Sequence, residues 1–199
     1  DIGLTICATH EPNEEIIKNT EIVIEKLNTL NCSYTALPYP KNMNFLDKNV
    51  LDKFIEDINI AGSIFSKANK VLCYHNHALE FQKINNEIIL ERIYKNTDNI
   101  YIQGEPDVYW IQKGGHDPIS WCKKLKNRLP LIHLKDFIML NEHESYYAEI
   151  GNGNLDIKNI IKEAELSGCK WYIVEQDECQ GDPFISIETS FNYLLKFVT

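Results

Sequence analysis

Arginine is nearly missing from this chain: only Arg92 and Arg128 are present among its 20 basic residues, and the formal net charge is -9. Nucleic-acid binding rests on basic patches rich in Arg and Lys, so DNA and RNA are poor partners on this count, and so are anionic membranes. Bidentate phosphate grips also favour Arg, which argues weakly against a heavily phosphorylated substrate. No apolar run approaches the ~20 residues that a membrane span needs. No C-x-x-C pair occurs among the six cysteines, Cys7, Cys32, Cys73, Cys122, Cys169 and Cys179. They are scattered, several within apolar strand-like runs, where a thiol behaves as a small core residue. Reduced, structural cysteines in a cytoplasmic protein are the expectation. No Gly/Ser-rich or Pro-rich linker and no charge block divides residues 1–199, so one domain is expected.

What the chain does have is alternation. Short apolar runs and helical segments follow one another about every thirty residues. The strand candidates are 2–8, 32–37, 71–75, 100–106, 129–134 and 171–175. They are β-branched or aromatic and nearly continuous in apolarity, as buried parallel strands are. Between them lie segments of 3.6-residue period. In 13–30 the stripe is Ile16, Thr20, Val23, Leu27 and Leu30, with Pro12 where a first turn tolerates it. Val50–Phe65 repeats the pattern. Asp117-Pro118 begins a helix burying Trp121 and Leu125, Asp156 caps another that ends near Gly168, and 185–197 is helical again. Such alternation implies a parallel sheet with right-handed crossovers, either doubly wound or closed into a barrel. A full barrel needs eight units and about 250 residues, whereas the pattern here gives six.

Chemistry in both folds gathers at the carboxyl ends of strands. The third run ends Tyr74-His75-Asn76-His77, with Glu80 just beyond. The fourth ends Glu105-Pro106-Asp107, followed by Tyr109 and Trp110; the fifth ends His133-Leu134-Lys135-Asp136, and the sixth Glu175-Gln176-Asp177. Alternation along a strand puts His75 with His77, Glu105 with Asp107, and His133 with Lys135 on common faces. A single Asp or His at a strand end is usually a cap or loop residue. Four consecutive ends carrying ligand-type residues suggest a divalent-metal site, and an oxygen-rich mixed donor set slightly favours Mn²⁺ over Co²⁺, Mg²⁺ or Zn²⁺.

At these residues the chain resembles the sugar phosphate isomerase/epimerase-like proteins of the xylose-isomerase-like TIM barrel superfamily. The resemblance is carried by Tyr74-His75-Asn76-His77-Ala78-Leu79-Glu80-Phe81, by Asp107-Val108-Tyr109-Trp110 with Gly114-Gly115-His116-Asp117-Pro118, by His133-Leu134-Lys135-Asp136, by the stretch from Glu149 to Asp156, and by Val174-Glu175-Gln176-Asp177. On its own, Gly151-Asn152-Gly153 would be an ordinary turn or a poor phosphate loop. The resemblance implies an α/β fold, a (β/α)8 barrel lacking its first two units, roughly 60–70 residues of a standard barrel. The edges so opened would invite aggregation or pairing with another chain, a homo-oligomer included. It also implies metal ligation by Asp107, His133 and Glu175. The remaining ligand, usually Glu in that superfamily, falls to His75 or to nearby Glu80.

The activity implied is isomerisation or epimerisation of a small sugar or keto-sugar, through proton abstraction beside a carbonyl and an enediolate. Glu175 would be both ligand and general base, with His77 or Glu80 as partner acid/base. Lys135 would hydrogen-bond a hydroxyl or developing oxyanion, unless it merely pairs with Asp136 or Glu105. Trp110 would stack on a sugar face, and His10 would line the substrate site. The same first step serves a lyase or dehydratase acting on an oxidised sugar or glycoside. A non-catalytic partial barrel and, far less in keeping with the charge, a DNA endonuclease are the other readings.

Overall fold

The computed structural model describes residues 2–41 and 43–197. Two compact units divide at Glu105 and Pro106. In the first, the elements run β1 (Thr9–His10), α1 (Asn13–Lys18), α2 (Thr20–Thr29), β2 (Tyr34–Leu37), α3 (Lys48–Lys67), β3 (Val71–His75), a 3-10 turn (Leu79–Phe81), the hairpin β4 (Lys83–Ile84) and β5 (Glu87–Ile88), α4 (Ile89–Lys95) and β6 (Ile102–Glu105). Strands β1, β2, β3 and β6 form a parallel sheet in that order. Its register sets Tyr74 beside Gly104 and His75 beside Glu105. The α/β class and parallel pairing agree with the sequence.

Two details differ. The strand expected over 2–8 does not form there; the strand is Thr9–His10, just beyond that range. Ile2 and Leu4 stand 85% and 81% exposed, with no surface to bury their side chains, and β-propensity without packing makes no ladder. The helix expected over 13–30 breaks at Asn19, whose φ of -127° and ψ of 38° are not helical. There the Thr20 hydroxyl donates to the Ile16 carbonyl at 2.7 Å, a back-bond that bends helices. The stripe itself survives the break, because Ile16, Thr20, Val23 and Leu27 are all buried. Helix α3 starts at an Asp47 cap and buries Leu51, Phe54, Ile55, Ile58, Ala61 and Phe65. It crosses the entrance to β6 so closely that a Cβ on Gly62 would run into the Tyr101 carbonyl.

The second unit holds α5 (Val108–Lys113), α6 (Pro118–Lys124), β7 (Leu131–Leu134), β8 (Asp136–Met139), β9 (Ser145–Ala148), α7 (Ile157–Leu166), β10 (Trp171–Val174) and α8 (Pro183–Leu194). Strands β7 and β10 pair in parallel, whereas β8 and β9 form an antiparallel hairpin. Asp117 caps α6 with Pro118 in its first turn, and Asp156 caps α7, as the sequence indicates. All six cysteines are free thiols. Among the described residues no helix is long and apolar enough to cross a membrane.

Candidate metal centre

Pro106 opens the second unit, and Asp107 follows as the N-cap of α5, its Oδ1 accepting from the Trp110 amide at 3.1 Å. An isolated parallel bridge sets Asp107 beside His133, and the His133 amide donates to the Pro106 carbonyl at 2.9 Å. On the other side of β7 lies β10. Glu175, one residue past its end, donates its amide to the Leu134 carbonyl at 3.0 Å. Backbone pairing therefore brings Asp, His and Glu side by side at three adjoining strand ends. One donor atom from each lies within 4.8 Å of the others.

Lys135 is the cation of this cluster. Its Nζ lies 2.9 Å from Glu175 Oε2, 3.0 Å from Asp177 Oδ1 and 3.5 Å from Asp107 Oδ2. The rings of Trp110 and Tyr147, each centred 5.4 Å from the ammonium, and of Tyr109 at 6.0 Å, surround it, within cation–π reach. His133 Nδ1 is 3.1 Å from the same Glu175 oxygen. Asp107, His133 and Lys135 are buried, whereas Glu175 and Asp177 keep 38% and 40% of their side chains exposed. The cluster thus has a closed end at Asp107 and an open end at Glu175 and Asp177.

The two ligand carboxylates are pushed in opposite directions. Burial raises the Asp107 pKa to about 6, with Lys135 and His133 opposing it. Burial also works against ionised Glu175, but His133 and Lys135 outweigh it and hold this carboxyl well below the usual range. Lys135 loses hydration by burial, yet Asp107, Glu175 and Asp177 keep it firmly protonated. Three carboxylates thus face one ammonium, and a divalent cation would balance that charge. The mixed Asp/His/Glu donors suit such an ion. The fit is good.

Asp136, next in sequence to Lys135, does something else. Its Oδ1 accepts from the Phe137 amide at 2.9 Å and the Leu155 amide at 3.1 Å, and its Oδ2 from the Gly151 and Gly153 amides, both at 3.1 Å. The Gly151-Asn152-Gly153 turn does cradle an anion, then, and the anion is the chain's own carboxylate. A Cβ on Gly153 would collide with it, and Gly151 has a φ of 90° and lies against the Tyr193 ring. Glycine is therefore required at both positions.

In the first unit, His75 ends β3 and His77 follows it, their rings 5.0 Å apart, with Tyr39 edge-on to His77 at 5.1 Å. Glu80 is only 1% exposed. Its Oε1 accepts from the Tyr74 hydroxyl at 3.0 Å and its Oε2 from the His77 amide at 3.1 Å. Burial raises its pKa against these two bonds. Both oxygens are thus spent holding the turn after β3. Replacing Glu80 with Ala should destabilise the fold by about 3 kcal/mol, because a buried hydroxyl and amide lose their acceptors. Gln, which can serve both, should stay within about 1 kcal/mol of the parent. Urea unfolding of the two variants checks this, and an equal loss in both would contradict it.

Some of these residues escape a sequence reading. Tyr147 lies in the β8–β9 hairpin, which has no clear periodicity. Asp177 was legible in principle, standing two residues beyond Glu175 and so on the same face.

No family model matches this chain. It is 22% identical over 216 residues to an inosose dehydratase of Geobacillus kaustophilus, covering 93% of this chain and 70% of that protein. It is 26% identical over 145 residues to an inosose dehydratase of Clostridium tetani, covering 63% of this chain and 47% of the relative. Among solved structures, a sugar phosphate isomerase/epimerase from Parabacteroides distasonis superposes with a TM-score of 0.78 at 28% identity, over 96% of this chain and 71% of that one. A xylose isomerase-like TIM barrel protein from Mycobacterium smegmatis, solved with magnesium, gives 0.74 at 12% identity over 98% and 73%. The IOLI protein, solved with a zinc atom, gives 0.73 at 13% over 96% and 76%; these last two speak to fold alone. The chain has an α/β fold with a parallel sheet whose structural neighbours are xylose-isomerase-like TIM barrels, and it is similar to the sugar phosphate isomerase/epimerase proteins among them.

Proposed function

We propose that this protein is a divalent-metal-dependent isomerase or epimerase of a small sugar or keto-sugar, working by proton abstraction beside a carbonyl through an enediolate. The observation that carries the reading is the cluster of Asp107, His133 and Glu175 around the ammonium of Lys135. These three residues would hold the ion, with Mn²⁺ favoured, and the ion would polarise a substrate carbonyl. Glu175 stands at the open end, where a substrate C–H can reach it, and accepts the proton there. Lys135, held protonated, donates a hydrogen bond to the oxygen on which charge develops. Trp110 offers a ring face to the apolar side of a sugar. Of the two residues considered as partner acid, His77 suits proton transfer better than Glu80, whose oxygens are spent in the turn. His10 belongs to the same functional set as a substrate-contacting residue.

Similarity to inosose dehydratases favours a second reading, elimination of water after the same proton is removed. In either case the partner is a small sugar-like molecule, not nucleic acid or a membrane surface, in keeping with the net charge of -9. Six free thiols suit a reducing, cytoplasmic setting.

Incubation with Mn²⁺ and a panel of keto-sugars in deuterated water separates the outcomes. Isomerisation gives a product of substrate mass carrying solvent deuterium; elimination gives a product lighter by one water. Metal-loaded protein that exchanges no substrate deuterium across the panel would sink the proposal and leave a non-catalytic chain.

A further inference from the structure

Helix α8 is turned inside out. Its inward face carries serine, for Ser186 and Ser190 are its buried residues. The Ser190 hydroxyl accepts from the Ile150 amide at 3.0 Å, and the Ser186 hydroxyl donates to Glu149 Oε1 at 2.8 Å. The opposite face is apolar and open. Phe184 is 81% exposed, Ile187 62%, Phe191 58%, and Leu195, just past the helix end, 49%. A surface helix ordinarily shows the reverse, with its apolar stripe against the core. Beside the stripe, α8 leaves a cavity of about 330 Å³ against β10, with Ile161, Tyr172, Val174, Ile187 and Phe191 in its walls. The four stripe residues and Val174 leave open roughly 500 Å² of apolar surface, at about 200 Å² for a whole large side chain. Contiguous apolar patches of that size mark interaction sites. A standard protein interface takes about 800 Å² from each partner, about 60% of it apolar. The patch therefore supplies the apolar share of one complete half-interface.

We propose that this face pairs with the same face of a second copy of the chain, the two α8 helices lying antiparallel about a two-fold axis. Phe184, Ile187, Phe191 and Leu195 recur at intervals of three and four residues, the seam spacing at which two helices interlock. A two-fold interface must be self-complementary, and this stripe is. Antiparallel pairing sets Phe184 of one copy opposite Leu195 of the other, and Ile187 opposite Phe191, so each stripe residue meets an apolar counterpart. Charge points the same way. The chain carries -9 overall, yet Glu188 is the only charged residue of α8. Two acidic copies can thus meet here with few like charges at the seam, whereas a strongly basic partner would find little to recognise. The surface lies wholly within the second unit. No residue of α8 belongs to the metal centre, so the pairing holds or fails independently of any reaction there.

Sedimentation equilibrium of the full chain over a range of concentrations tests the proposal. The expected particle is a dimer, twice 23.1 kDa, with a dissociation constant in the micromolar range or tighter. Phe191→Asp and Ile187→Lys should each weaken it by at least about 30-fold, as loss of a central apolar anchor does. Both side chains stand open on the single chain, so circular dichroism and the urea midpoint of the dissociated protein should hold. Phe184→Gln, at the most exposed stripe position, gives the same reading at the helix start. Mixing the Phe191→Asp and Ile187→Lys proteins in equal amounts should restore a dimer, because the antiparallel register sets the new aspartate against the new lysine. A monomer at every concentration would overturn the proposal and leave the face to a different polypeptide. A dimer indifferent to all three substitutions would place the interface elsewhere. Two dissociated variants that stay apart when mixed would refute the antiparallel pairing.

Discussion

Replacing Asp107 with asparagine is expected to stabilise the metal-free protein while removing the ion from the second unit. The carboxyl is fully buried, and burial lifts its pKa from 3.8 to about 6. A folded pKa above the unfolded one means that the fold prefers the protonated form. Its contribution to stability is therefore greatest below pH 4 and declines as pH rises from about 4 to 6. By pH 7 the burden of holding it ionised is on the order of 3 kcal/mol. Asparagine keeps an oxygen for the Trp110 amide and sheds the charge, so thermal unfolding at pH 7 in chelator should show a gain of up to that size. In the parent protein the same proton must leave before a cation binds, so apparent metal affinity should fall about tenfold per pH unit below pH 6. Metal titrations at pH 5, 6 and 7 read this directly. A variant no more stable than the parent, together with pH-independent binding, would show that Asp107 faces no such burden.

The second large effect is expected at Asp136. Its two oxygens accept four backbone amides, from Phe137, Gly151, Gly153 and Leu155. In Asp136→Asn one oxygen becomes an NH₂, which must face either the Gly151 and Gly153 amides or those of Phe137 and Leu155. Two N–H donors then lose their acceptor in a buried place, at about 1–3 kcal/mol each, so a loss of about 4 kcal/mol is expected. Urea unfolding measures it, and a change below about 1 kcal/mol would mean that water or a shifted loop replaces the acceptor. Amide exchange at Gly151 and Gly153 should quicken in the same variant.

Much of this was legible in the chain beforehand, for identifiable reasons. Val71–His75 reads as a strand with its observed bounds because five residues of apolar or aromatic type run between turn signals. The caps at Asp117 and Asp156 are local chemistry, and both hold. What failed to show depends on distant partners. Apolar residues 2–8 look like a strand until one sees that Ile2, Leu4 and Ile6 stand exposed. Asp136 reads only as the end of the fifth strand or a partner of Lys135, because its role is set by amides from 15 to 19 residues further on. Lys135 reads as a donor to substrate or as a partner of Asp136 or Glu105, and the carboxylates beside it are Asp107, Glu175 and Asp177. Short elements such as α4, α5 and the β8–β9 hairpin carry too few turns or alternations to register as a period.

The cap of α5 is also a built-in gauge. One oxygen of Asp107 takes the Trp110 amide while the other looks toward Lys135. Any cation that Asp107 shares must draw electron density from the oxygen that the amide leans on. The nitrogen-15 chemical shift of Trp110 should therefore move on loading, giving a single backbone resonance by which occupancy of the second unit can be followed without substrate, turnover or a coloured metal.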